Sequence, residues 1–165
     1  MAVGILGSNA WGFRPGPGRH PKETLQGRAA TSQAWEVGAI LIRSSGELIE
    51  ASADPTVDII GIAADTITSA ASNLTVRFWP IYPGDVWEAT FEDETNTGHA
   101  LVEANIYTDY AAQVDTDGNW YIDENDTTAT AVMIIAPKSD VDIVNAVVRA
   151  RVYCVFLSDV LALAT

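Results

Sequence analysis

The sequence predicts an all-β protein: a compact β-barrel or sandwich preceded by an extended amino-terminal arm. Three observations carry that expectation. The apolar residues fall in short runs rich in Val, Ile and Leu, which suit strands. Turn signals built from Gly, Pro, Asp and Asn separate the runs. No apolar stripe at helical spacing persists beyond about two turns. About nine or ten short strands follow from that spacing.

Length and charge set the limits. At 165 residues, 48% hydrophobic and 19% charged, the chain is long enough to bury one substantial core. A formal charge of -13 argues against a nucleic-acid surface, because phosphate binding needs a net basic face. The same charge keeps a concentrated protein soluble. One cysteine, Cys154, cannot close an internal disulfide, and its apolar setting VRARVYCVFL predicts a buried, inert thiol. The amino terminus MAVGILGSNAW has no basic run ahead of a long apolar one. The carboxy-terminal VYCVFLSDVLALAT is broken by Ser158 and Asp159, so neither a leader nor a membrane partner is expected.

Residues 1–33 differ from everything after them and are expected as an arm, with 34–165 as the barrel or sandwich domain. WGFRPGPGRHPKETLQGR holds three prolines and four glycines, which disfavour helix and sheet alike. Arg14, Arg19, Lys22 and Arg28 stand against one acid, Glu23, so the arm carries about +3 and the rest roughly -16. Trp11 and Phe13 add aromatic anchors. Cations for attraction and aromatics for burial describe a segment that docks on a partner, either a neighbouring copy of the acidic body or a larger assembly. Deleting 1–33 is then expected to weaken association and leave the fold intact.

The stretch EVGAILIRSSGELIEASADPTVDIIGIAA, residues 36–64, reads as two strands around a tight turn at Ser44-Ser45-Gly46, a loop at Ala53-Asp54-Pro55, and a third strand. DTITSAASNL, residues 65–74, is a polar connection. TVRFWPIYPGDVWEATFE gives two more strands around Pro83-Gly84-Asp85. Trp87, Ala89 and Phe91 alternate there with Glu88, Thr90 and Glu92, the period of a half-buried strand. Pro80 removes a ladder donor, which predicts an edge or a bulge. Asp117-Gly118, between YAAQV and NWYID, predicts a hairpin. KSDVDIVNA is expected as a connection with one helical turn, and VVRARVYCVFL as a closing strand with Val148, Ala150, Val152, Cys154 and Phe156 on the core face.

The search for chemistry finds no GxSxG, HExxH or GxxxxGK[ST], and no His/Cys cluster at metal-ligand spacing. His20 and His99 stand apart in sequence. Asp115, Asp117, Asn119 and Asp123 alternate like a calcium loop, but Trp120 occupies the sixth position, where an EF-hand needs glycine, and Asp126 the twelfth, where it needs glutamate. The sequence thus predicts no catalytic residue, no metal, no cofactor and no enzyme. Five tryptophans, Trp11, Trp35, Trp79, Trp87 and Trp120, offer an alternative, a sugar-stacking platform. The competing expectation is that Trp35 and Trp87 fill the core while Trp79 and Trp120 cover its ends.

The order GAILIRSSGELIEASADPTVDIIGIAAD, VRFWPIYPGDVWEATF, IYTDYAAQVDTDGNWYID and a closing apolar strand resembles the capsid decoration, or cement, proteins of tailed bacteriophages. The resemblance covers residues 36–157. It implies a small β-barrel, a homotrimer, that binds the major capsid protein on the outside of an icosahedral shell and reinforces it, with arms reaching adjacent subunits. It brings no catalytic residues. The alternative is a glycan-binding or host-attachment β-sandwich module of a virion.

Overall fold

A computed structural model describes residues 12–18, 23–92, 101–139 and 150–162. Its described residues form eleven strands: β1 (Arg14–Pro15), β2 (Leu25–Arg28), β3 (Ile40–Ser44), β4 (Glu47–Glu50), β5 (Ile59–Ala63), β6 (Thr75–Pro80), β7 (Val86–Glu92), β8 (Asp109–Val114), β9 (Trp120–Asp123), β10 (Val132–Pro137) and β11 (Arg151–Phe156). Their only helical pieces are single 3₁₀ turns at Glu103–Asn105 and Ser158–Val160. The all-β expectation holds. The strands beyond nine or ten come from the region expected as an arm, because β1 and β2 are both paired into sheets.

Five strands close on themselves. The order β7-β11-β10-β8-β9 returns to β7 through a parallel pair, Phe91 with Ile122 and Glu92 with Asp123. Closure removes the free edges that a five-stranded sheet would otherwise present. β1 lies along β7 ahead of that parallel pair, Arg14 opposite Glu88 and Pro15 opposite Trp87. The other five strands form a sheet in the order β2-β6-β5-β3-β4. Its outer strands approach each other just past β2, where Ala29 bridges Leu48 and the Ala30 N–H donates to the Leu48 carbonyl at 2.9 Å.

Local chemistry explains the hairpins. β3 and β4 turn through Ser45 (φ 51°) and Gly46 (φ 84°), two consecutive left-handed residues, as the right-handed twist of a two-residue hairpin demands. β8 and β9 reverse at the expected Asp117-Gly118, with the Asp115 N–H donating to the Asn119 carbonyl at 3.0 Å. Pro80 is not on an edge: β6 runs between β2 and β5. Arg77 O accepts the Ala64 N–H and the Ile81 N–H donates to Ile60 O, so odd residues face β5 and Pro80 faces the other flank. Pairing with β2 ends at Leu25–Phe78, before a donor at residue 80 is needed.

One core cluster runs through both sheets, from Ile40, Leu41, Ile59 and Ile62 to Trp87, Phe91, Ile122 and Ile134. Each such side chain contributes about 1.5–3 kcal/mol by leaving water. Trp87 meets Phe156 edge-on at 6.3 Å and Phe91 meets Tyr110 at 5.2 Å. Val152, Cys154 and Phe156 point inward as the pattern predicts, and burial pushes the Cys154 thiol pKa far up. The alternation along β7 is only half right, since Thr90 and Glu92 are buried too. The Thr90 hydroxyl accepts a 2.7 Å bond from Arg151 Nη1, so this outer position sits under a neighbouring side chain instead of facing water. The helical turn expected in KSDVDIVNA lies outside the described residues, apart from its first two.

Candidate partner-binding surface

The amino-terminal region is where sequence placed the partner contacts, and the structure ties its described parts to the body. The Gly12 N–H donates to Trp120 O at 2.9 Å, the Phe13 N–H to Gly38 O at 3.0 Å, and the Gly16 N–H to Val86 O at 3.0 Å. Gly12 (φ 80°) and Gly38 (φ 97°) cross so closely that a Cβ built on either would lie 3.0 Å from the other's Cα. Only glycine fits both positions.

Phe13, expected as an anchor for a partner, is a core residue of its own chain. It is fully buried, its ring 5.2 Å from that of Phe156. A free arm would leave that ring in water; the gap between the closed barrel and the second sheet offers it a dry site. Arg14 follows on β1, half-buried and opposite Glu88. Arg28 is exposed at the end of β2, and its Nη2 lies 3.9 Å from Glu47 Oε1, a loose pair that leaves the guanidinium largely in water. Trp11, Arg19 and Lys22 lie outside the described residues.

Beside Arg14 an ionic cluster covers the outer face of the barrel. Glu88 Oε1 accepts Lys138 Nζ at 2.8 Å and Arg151 Nε at 2.9 Å. Burial raises the Glu88 pKa, but these two cations together outweigh it and hold the carboxyl below its ordinary value. Burial lowers the Arg151 pKa despite Glu88. On the second sheet, Asp65 grips Arg77 through Nε at 3.0 Å and Nη2 at 2.6 Å, and its carboxyl is held low by those bonds.

The joint between the two sheets carries a further polar contact that sequence did not suggest. Trp120 Nε1 donates to Glu50 Oε1 at 2.8 Å. Burial raises the Glu50 pKa and the indole bond only partly offsets this. A raised pKa means that folding favours the protonated form, so this group's stabilising contribution is complete at low pH and fades as pH rises through its folded value. Glu50→Gln keeps the acceptor and removes the charge; its urea midpoint is expected to exceed that of the parent at pH 7, the difference shrinking toward pH 4. Glu50→Leu strands the indole N–H and is expected to cost about 1–3 kcal/mol.

Three of the five tryptophans cannot form a sugar platform. Trp35, Trp87 and Trp120 are buried, and Trp35 Nε1 donates to Asp65 O at 3.0 Å. Trp79 is half-buried against the core, and Trp11 is not among the described residues. Trp120 fills the core outright, where it was expected to cover an end. In the β8–β9 turn, Asp115 Oδ1 accepts the N–H groups of Asp117 and Asn119, both at 2.8 Å, and Oδ2 accepts Asn119 Nδ2 at 2.9 Å. The acids that alternate like a calcium loop thus use Asp115 to close their own turn.

Sequence reasoning missed the exposed apolar residues. Leu25, Val57, Tyr82, Val102 and Tyr107 all face water, Tyr107 most of all at 75%. Tyr107 also adopts φ 62°, a left-handed conformation uncommon for a bulky residue. No turn residue at that position advertises it. Compared with known protein families and with curated proteins, the chain matches none.

Proposed function

We propose that this is a non-enzymatic structural protein of a virion, a bacteriophage capsid decoration protein that binds the major capsid protein on the outside of an icosahedral shell. It stabilises the shell by bridging neighbouring subunits, acting as a homotrimer. The observation that carries the reading is the division of charge: a Pro/Gly-rich segment of about +3 on an all-β body of roughly -16. A rigid β body supplies a spacer of defined shape. The cations draw it to an acidic surface, and among them Arg28 is exposed.

A shell under internal pressure fails where subunits part. A protein bound across such a junction must lose its binding free energy before they separate, so the bound shell is the more stable one. Contacts repeated around a three-fold act together by avidity. No bond-making step is needed.

Co-sedimentation with emptied capsids of the source virus tests the reading. Saturable binding is expected, weakened in Arg19→Glu/Lys22→Glu/Arg28→Glu. Failure of the full-length chain to sediment with capsids would refute it.

A further inference from the structure

The loop ahead of β8 has its backbone pinned by hydrogen bonds. Asn105 Oδ1 accepts the Val102 N–H at 2.8 Å while its Nδ2 donates to the Tyr110 hydroxyl at 2.8 Å. Thr108 Oγ1 donates to Ala104 O at 3.0 Å, and the Tyr107 N–H donates to Ile134 O at 2.7 Å. These bonds fix the backbone around a left-handed, exposed tyrosine, with Val102 exposed in the same loop. An exposed aromatic side chain carried on a fixed backbone leaves only its own rotamers to be ordered on binding, which is the character of an interface anchor. The charges of residues 101–109 are Glu103 and Asp109, both acidic and both exposed.

We propose that this loop is the seat for the Pro17–Lys22 stretch of a second copy of the chain. The two are complementary in chemistry. Proline rings pack on aromatic faces, and Pro17 and Pro21 would meet Tyr107. Arg19 and Lys22 would face Glu103 and Asp109, and a guanidinium over the Tyr107 ring gains a cation–π contact. Pro17 and Gly18, ahead of the cations, and Glu23 and Thr24, after them, are exposed, so the described ends of that stretch stand clear of their own body. Because seat and segment are different surfaces, the contact is head-to-tail, and it either closes into a ring or runs on as a chain. The inference rests on the reading of the amino-terminal region as a docking element, and its test needs no capsid.

Sedimentation equilibrium of the full chain, up to about 1 mM and at low and high salt, reads the association directly. Self-association weakened by salt is expected. Tyr107→Asn keeps a residue that tolerates the left-handed conformation and removes the ring; it should raise the dissociation constant about tenfold or more. Arg19→Glu/Lys22→Glu should do the same, and adding Glu103→Lys/Asp109→Lys to that variant should restore association. A chain monomeric throughout, a Tyr107→Asn variant that associates like the parent, or no recovery on combining the reversals would each overturn the seat. A monomer that still binds capsids removes the seat and leaves the shell reading standing. A self-associating chain that ignores capsids does the reverse.

Discussion

Phe13→Ala is expected to destabilise the protein by about 3–5 kcal/mol, lowering the melting temperature by roughly 10 °C or more. The ring lies between the closed barrel and the second sheet, fully buried and against Phe156. Its removal leaves a cavity at the joint, where the backbone on either side is held by the Gly12–Trp120 and Phe13–Gly38 hydrogen bonds and cannot easily collapse. By the same argument, deleting residues 1–33 removes β1, β2 and this ring together, so the truncated chain should fail to fold cooperatively. That replaces the expectation that the fold survives the deletion. Thermal unfolding followed by near-ultraviolet circular dichroism checks both; a truncated chain that melts like the parent would show that the seam contributes nothing. One practical consequence is that the role of the basic segment in association must be tested by charge reversal, since truncation would confound binding with folding.

Gly61→Ala is the second large effect, at about 1–3 kcal/mol or somewhat more. Gly61 sits in β5, paired with Pro80 of β6. A Cβ there would run into the Trp79 carbonyl oxygen and, at 2.5 Å, into Phe78 Cδ2. The first is backbone within a sheet and cannot swing aside, so β5 and β6 would have to separate or Phe78 leave its buried rotamer. Denaturant titration should show a lower midpoint with an unchanged slope, because the native surface is altered little. An unaltered midpoint would mean that the strands can part at no cost.

What could be read from the sequence was what local chemistry decides. Ser45-Gly46, Pro83-Gly84 and Asp117-Gly118 each satisfy a turn within a few residues, and the structure places turns at all three. Trp87, Ala89 and Phe91 alternate because one face of β7 meets the core. What escaped the sequence depends on distant partners. Phe13 lies in a Pro/Gly-rich run that reads as an arm, and only the site between Gly38, Trp120 and Phe156 makes it a core residue. Pro80 signals an edge or a bulge, yet β6 is central; the proline is tolerated because pairing with β2 ends at Leu25–Phe78, before a donor at residue 80 is needed. Thr90 reads as solvent-facing until Arg151 covers it. The β7–β9 parallel pair that closes the barrel joins residues about thirty apart, and no local pattern encodes it. Of the expected partner residues, Arg28 lies at the surface, Arg14 is half-buried opposite Glu88, Phe13 is buried in the core, and Trp11, Arg19 and Lys22 lie outside the described residues.

Calorimetry of emptied capsids, with and without saturating amounts of the protein, measures the proposed reinforcement itself. The account predicts that the capsid transition moves to higher temperature in proportion to occupancy until the sites fill, because the ligand binds the intact shell and not its separated subunits. A capsid transition that stays in place while the protein is demonstrably bound would contradict it.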